Sequence, residues 1–198
     1  MSETFQLVTE RLVLRQWRDE DYAPFAEINA DPRVRQFFPK TLTREESDRE
    51  ADYCREEFDK RGYTFFAAEN RTTHEFIGFI GLLPLNTALP GVTDDSIEIG
   101  WRLKPLVWNR GLATEGARAS LNHGFNNLQL DSIYAYTALQ NLPSRRVMEK
   151  LGLSYQPHLD FDHPRVPEGH PLRRHVIYRI FATDTFRITN PNQLEAKS

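Results

Sequence analysis

Trp101-Arg-Leu-Lys-Pro-Leu-Val-Trp-Asn-Arg-Gly-Leu-Ala-Thr-Glu-Gly116 is the stretch that decides how this chain is read. A strand ends in it, a short loop turns through Asn109-Arg110-Gly111, and a long helix begins. The first N–H groups of a helix lack partners within it, and the helix dipole adds positive potential behind them. Such a start attracts phosphate or pyrophosphate, and Gly111 and Ala113 leave the backbone open to a bulky anion. Residues 102–118 carry Arg102, Lys104, Arg110 and Arg118 against one acid, Glu115. A tight strand-to-helix turn needing one glycine would read the same way. Two commoner phosphate loops are excluded. No Gly-x-x-x-x-Gly-Lys-[Ser/Thr] occurs, and no Gly-x-Gly-x-x-Gly follows the first strand.

Working outward, Ser96–Leu103 reads as a strand with Ile97, Ile99, Trp101 and Leu103 on one face. The helix runs from Gly111 to about Asn127, with Ala113, Ala117, Leu121, Phe125 and Leu128 at helical spacing. Upstream, strands Tyr63–Glu69 and Phe76–Leu83 flank a polar turn, 70–74. Before them, the capping-box pattern Thr43-Arg-Glu-Glu46 opens a helix that runs to Lys60 and closes at Gly62. An earlier helix starts at the acidic Asp19-Glu-Asp21 and ends at Asp31-Pro32. The first strand leads from Leu7 and Val8 into Arg11–Arg15, where Leu12 and Leu14 alternate with Arg11, Val13 and Arg15. Downstream come a strand at Ser132–Leu139 and a short helix at Pro143–Leu151. The strands Leu153–Gln156 and His175–Phe181 follow, around a long polar loop. A meander of strands followed by alternating helices and strands predicts a mixed α/β layered fold with core on both sheet faces. One domain is expected over 1–187, with 188–198 a loose tail.

The 198 residues are 39% hydrophobic and 27% charged, enough to bury a core and too apolar for a disordered chain. A net charge of −3 gives no overall attraction to nucleic acid or anionic membrane. The one cysteine, Cys54, excludes an internal disulfide and a Cys-rich zinc site. The most apolar run, Phe76–Leu85, is about half the length a bilayer span needs, and no signal-peptide pattern opens the chain. A soluble cytoplasmic protein is expected.

Arg110-Gly-Leu-Ala-Thr-Glu115, with Asn141-Leu-Pro-Ser144 and Glu149-Lys-Leu-Gly152, resembles the GNAT superfamily of acyl-CoA-dependent N-acetyltransferases. Thr9-Glu-Arg-Leu-Val-Leu-Arg15 resembles in particular its ribosomal-protein-alanine acetyltransferase-like (Rim-type) branch. The likeness covers Thr9 to Phe181 in the family's order. It implies a central, largely antiparallel seven-stranded sheet splayed into a V and flanked by about four helices. It also implies acetyl-CoA as co-substrate and an amine as acceptor. The family's pyrophosphate loop, Gln/Arg-x-x-Gly-x-Gly/Ala, is matched by Gly111 and Ala113, while Trp108 stands at the Gln/Arg position. The implied cofactor-binding set is Trp108, Asn109, Arg110, Gly111, Leu112, Ala113 and Thr114, the backbone of Trp101, Arg102 and Leu103, and Asn141 and Ser144.

In the implied chemistry an amine attacks a thioester directly, so it must be neutral and a base must take its proton. Glu98, between β-branched residues of a central strand, is the first choice; a Glu98–Arg102 pair on the strand face is the bland alternative, and water-assisted attack a rival. A strand N–H near Leu103 would serve the oxyanion, and Ser144 or Tyr155 the leaving thiolate. Cys54 reads as a structural thiol.

The 160–175 loop carries His163, His170 and His175 without the spacing of a helix-borne metal site, so no metal is expected. That loop either covers the acceptor site or pins itself to the last strand, and Glu168 within it is a weaker alternative base. Phe37, Phe38 and Pro39 read as core or as an acceptor wall, and the acidic stretch 45–59 as a solvated face able to steer a cation. The Rim-type resemblance implies a protein N-terminus as acceptor. Small amines (amino acid, aminoglycoside or polyamine) stand beside it, as does a non-catalytic acyl-CoA-binding module. Small enzymes of this kind commonly form homodimers.

Overall fold

The computed structural model describes residues 5–93 and 95–183. Its strands are β1 (Gln6–Val8), β2 (Leu12–Arg15), β3 (Phe65–Asn70), β4 (Phe76–Pro84), β5 (Ile97–Leu103), β6 (Ser132–Ala138), β7 (Ser154–Tyr155), β8 (Phe161–Asp162) and β9 (Arg174–Phe181). Its α-helices are α1 (Tyr22–Ala30), α2 (Pro32–Arg35), α3 (Arg44–Arg61), α4 (Leu112–Asn126) and α5 (Leu142–Lys150). The sheet runs β1-β2-β3-β4-β5-β6-β9-β7, with β8 also on β9, and every pair is antiparallel except β5 with β6.

The mixed α/β, largely antiparallel architecture is the expected one, and among the described residues nine strands stand where the resemblance implied seven. The first expected strand folds on itself at Thr9, whose N–H donates to the Leu12 carbonyl, making a β1–β2 hairpin. The short β8 forms inside the expected polar loop. Five helices replace about four. Pro32 ends α1 as its sequence requires, but its fixed φ also suits a first helical position, and the Asp31 side chain caps α2 there. Residues 184–187 of the expected domain, and the expected tail at 188–198, lie outside the described residues.

Both sheet faces are covered. On one, α4 lays Leu112, Ala117 and Leu121 over Leu12, Leu14, Ile80, Leu82, Ile97 and Ile99. Gly116 makes this possible, because a Cβ there would sit 2.5 Å from the Ile80 Cδ1 atom. On the other, Trp17, Phe25, Ile28, Ala51 and Cys54 pack against Ala67, Phe76 and Phe79, so α1 and α3 form the second layer. The thiol of Cys54 is buried and pushed up to about 12 by loss of solvent, an inert group. The Thr43–Glu46 capping box starts α3, and Gly62, at φ 78°, ends it.

Arg15 falls on the face opposite Leu12 and Leu14 in the strand alternation, where a charged residue would be expected in solvent, yet it is buried. It donates from Nη1 and Nη2 to Asp21 and from Nε to Glu69, at 2.7–2.9 Å, which fastens the entrance of α1 to β2 and β3. Removing one member of a buried ion network strands the others, at a cost of about 3–5 kcal/mol. Arg15→Met is therefore expected to lower the unfolding free energy by about that amount in urea titrations, with a loss below 1 kcal/mol counting against the network.

Candidate functional site

Strands β5 and β6 pair at two positions only, Ile97 with Ile133 and Glu98 with Tyr134. Beyond Glu98 they part, while β5 stays paired with β4 through Leu103 and β6 with β9 throughout. The parting leaves one edge of β5 without a strand partner from Ile99 to Leu103. A cavity of about 800 Å³ opens there.

At one end the cavity reaches the start of α4. Asn109 and Gly111 both adopt left-handed backbone, at φ 59° and 78°, and no side chain caps the helix. The first intrahelical bond runs from the Glu115 N–H to the Gly111 carbonyl, so the N–H groups of Leu112, Ala113 and Thr114 are unspent beside the cavity they line. A left-handed Gly111 also keeps the approach clear, and the arrangement fits a pyrophosphate. Trp108 explains how the loop does without Gln or Arg at that position. Its indole donates to the Leu103 carbonyl at 2.7 Å, tying the loop to the end of β5.

Glu115 would oppose an anion, but it is neutralised. Thr9 Oγ1 and the Arg11 N–H donate to its Oε1 at 2.6 and 2.8 Å, and Arg11 Nε donates to its Oε2 at 2.6 Å. Burial pushes the carboxyl up, and these donors more than reverse it, so it stays below the usual carboxylate range. Arg11 Nη1 also donates to the Arg110 carbonyl, so the β1–β2 turn holds the anion loop in place. The Arg110 side chain itself is exposed and does not line the cavity. Lys104 is bound to Glu75, while Arg146 and Lys150 of α5, which sequence reasoning missed, line the cavity.

Asn141 caps α5, its Oδ1 accepting from the Ser144 N–H at 3.2 Å while its Nδ2 donates to Thr137 Oγ1 at 2.8 Å. Both Asn141 and Ser144 line the cavity, as do Trp101, Arg102, Leu103, Trp108 and Asn109. Tyr155 does not. Its strand β7 lies on β9 at the sheet's far edge, and its hydroxyl donates to Asp160 Oδ2 at 2.6 Å.

Glu98 stands at the vertex of the parting strands, 9% exposed, on the face opposite Ile97 and Ile99. The expected alternative pair with Arg102 does not form. Arg102 Nη1 donates instead to Asn29 Oδ1 at 2.7 Å and Glu50 Oε2 at 2.5 Å, drawn toward α1 and α3. Burial therefore dominates at Glu98 and pushes its carboxyl up to about 8, against smaller opposing pulls from Tyr136 and Arg165. Tyr136 and Glu50 had no motif to mark them; only their strand and helix neighbours bring them here.

The long polar loop both pins itself to β9 through β8 and walls the cavity with His163, Arg165 and Val166. Arg165 Nη2 donates to the Asn86 carbonyl at 2.8 Å, linking that wall to the β4–β5 connection. His163 and His175 face each other at 4.7 Å, and burial holds His163 neutral, down to about 4. His170 accepts from the Leu172 N–H through Nδ1, and Glu168 is exposed outside the cavity. Phe37, Phe38 and Pro39 are wall rather than core, Phe38 being 39% exposed. Among the described residues no group of three or more His, Cys, Asp or Glu is placed to hold a metal ion, and no helix is long and apolar enough to cross a membrane.

Residues 11–154 match the family model of the acetyltransferase (GNAT) domain. The chain is 31% identical over 156 residues to the uncharacterized protein YkkB of Bacillus subtilis, covering 78% of this chain and 88% of that one. It is 30% identical over 129 residues to the FsC-acetyl coenzyme A-N(2)-transacetylase of Aspergillus fumigatus, covering 62% of this chain and 53% of that one. Among solved structures, an acetyltransferase (GNAT family) from Bacillus anthracis superposes with a TM-score of 0.74 at 25% identity, over 90% of this chain and 99% of that chain.

The helix start yields a direct test. Gly111→Glu places a carboxylate beside the unspent N–H groups and is expected to weaken acetyl-CoA binding at least about tenfold by titration calorimetry, a loss near 1.4 kcal/mol. Far-UV circular dichroism should be retained, and unchanged affinity would refute the pyrophosphate assignment.

Proposed function

The chain belongs to the GNAT acetyltransferase family, and from that premise we propose that its cavity carries acetyl from acetyl-CoA to a small primary amine by direct attack, with Glu98 as the general base. Dependence on acetyl-CoA is the coarse activity of the family. The observation that carries the finer reading is Glu98 itself, a buried carboxyl with no cation within ion-pair distance among the described residues, at the point where β5 and β6 separate. Burying a carboxyl without such a partner is costly, and catalytic sites are where that cost recurs.

In this reading the N–H groups of Leu112, Ala113 and Thr114 hold the pyrophosphate, and the free edge of β5 along Trp101–Leu103 guides the pantetheine arm. Glu98 takes a proton from the incoming ammonium, directly or through water, and the neutral nitrogen then attacks the acetyl carbon. A strand N–H near Leu103 stabilises the oxyanion, and as the intermediate collapses Ser144, a residue of the cavity wall, gives a proton to the departing thiolate and regains one from the nitrogen, which sheds its second proton to become the amide. Tyr155 has no part in this scheme because it stands outside the cavity.

A small amine is favoured because the 163–166 wall, fixed to Asn86, closes around Glu98. The Rim-type reading, a protein N-terminus, draws support from Phe38 and Arg33 at the exposed rim, where a following polypeptide would lie. Comparing thiol release on a panel of free amines and on N-terminal peptides separates the two. Tight acetyl-CoA binding with no release on either panel would favour the non-catalytic module.

Glu98 acts as a base only when ionised, so kcat/KM is expected to rise with pH through about 8. Glu98→Gln should remove that limb and lower the rate by about 10²–10⁴-fold, with the dissociation constant of acetyl-CoA unchanged. A second readout needs no activity. The folded state keeps a proton on Glu98 that the unfolded chain releases at an ordinary carboxyl pKa, so stability falls as pH climbs from there toward 8. Glu98→Gln should therefore melt above the parent at pH 8.5, and equal melting would argue against the raised carboxyl.

A further inference from the structure

The described residues hold two buried arginines, and they differ in one respect. Arg15 has Asp21 and Glu69 against it. Arg35, 7% exposed at the end of α2, meets no carboxylate within ion-pair distance among the described residues. Its Nε donates to the Lys40 carbonyl at 3.0 Å, its guanidinium lies 4.0 Å over the Phe38 ring, and its Nη1 is buried without a hydrogen-bond partner. Arg102 lies 5.0 Å from the centre of the same ring and has a second orphaned donor, its Nε.

The charges around these two arginines do not cancel. In the cavity wall, Arg33 is bound to Asp31 and Arg102 to Glu50, and the buried Glu98 carboxyl is pushed up toward its protonated form. Nearby Glu46 is bound to Lys40. Arg35 is thus the buried cation of this wall without an ion-paired carboxylate among the described residues, the carboxylates nearest it, Glu50 and Glu46, being bound to Arg102 and Lys40. Burial and the neighbouring Arg102 push its guanidinium down to about 10, so it remains charged at neutral pH. A buried cation without a counterion is strongly unfavourable, and a planar fork of donors matches a carboxylate.

Arg35 also lies on the acceptor side of the sheet. Arg102 and Glu98 share one face of β5, and Arg102 is held there by α1 and α3, whereas the anion loop belongs to α4 on the opposite face. We propose that the acceptor amine itself carries a carboxylate, an amino acid or short peptide, and that Arg35, with Arg102 beside it on the Phe38 ring, receives that carboxylate while the amine reaches Glu98. This rests on the acetyl-transfer reading of the cavity. It makes Arg35 a specificity-determining residue.

The test pairs each acceptor with the same molecule lacking the charge. Thiol release from saturating acetyl-CoA is measured on α- and ω-amino acids and on glycyl dipeptides, each beside its carboxamide, in phosphate-free buffer. The parent is expected to prefer the free acids at least tenfold in kcat/KM, mainly through KM. Arg35→Met should bring each pair within about twofold while leaving the KM for acetyl-CoA unchanged, and Arg35→Lys should keep part of the preference. Equal use of acids and carboxamides by the parent would overturn the proposal, as would a preference that survives in Arg35→Met. A rise in the acetyl-CoA KM alone would move Arg35 to a cofactor phosphate and overturn it too. If no amine gives thiol release, the acetyl-transfer reading fails separately, and the subsite is read by binding. With CoA present, N-acetyl amino acids should raise the parent melting temperature where their amides do not, and should not raise that of Arg35→Met. The absence of that difference would reject the carboxylate subsite on its own.

Discussion

Two strands that run parallel and hydrogen-bond at only two residue pairs cannot stay together without other support, and the architecture of this protein follows from how that support is supplied. On one side β4 holds β5 over its full length, from Pro84 with Ile97 to Gly78 with Leu103. On the other, β9 holds β6 from Ser132 to Ala138. Each strand is thereby rigid on its outer edge and free on its inner one. Backbone groups on a free inner edge must be satisfied by something that enters the gap. The family's extended co-substrate arm is such an object, and the uncapped start of α4 lies at the gap's open end.

The N-terminal hairpin looks peripheral in the sheet order, yet it fixes that helix start. Thr9 and Arg11 grip Glu115, and Arg11 reaches on to the Arg110 carbonyl. The turn between β1 and β2 thus ties down the start of α4 and pairs the one acid of its first turn. Two segments that the sequence presents about a hundred residues apart act as one device. A carboxylate left unpaired at a helix N-terminus would compete with a phosphate for the same N–H groups; paired with Arg11, it becomes an anchor.

The legible part of the chain was whatever repeats locally. Period-two and helical patterns placed the main strands and helices, and the Gly111 turn marked the start of α4, because backbone conformation and local periodicity leave a trace in neighbouring residues. The acceptor side was harder. Arg102 could be paired with Glu98 on paper, since both lie on one strand face, but the choice was made by Glu50 and Asn29 from two other helices. Tyr155 looked suitable as a hydroxyl until β7 carried it to the wrong edge. Phe38 could have been core or wall; its place beside Arg102 of β5 decides. Long-range pairings of this kind have no local signature, so a single sequence offers candidates where the fold makes the selection.

Arg15 and Glu98 show how the same chain treats a buried charge in two ways. Where β2, β3 and the start of α1 must be fixed together, Arg15 receives two carboxylates and the network is closed. At the vertex of the cavity, Glu98 has no cation within ion-pair distance among the described residues, the pulls of Tyr136 and Arg165 are outweighed by burial, and its carboxyl is pushed toward the protonated form. A group left in that condition is poised to exchange its proton when a better partner arrives. An ammonium entering beside Glu98 would stabilise the ionised carboxylate, and the carboxylate would in turn accept the proton the nitrogen must lose before it can attack. If Glu98 is the base, the cost in stability and the capacity for catalysis have one origin, the lack of a close counterion for a buried group.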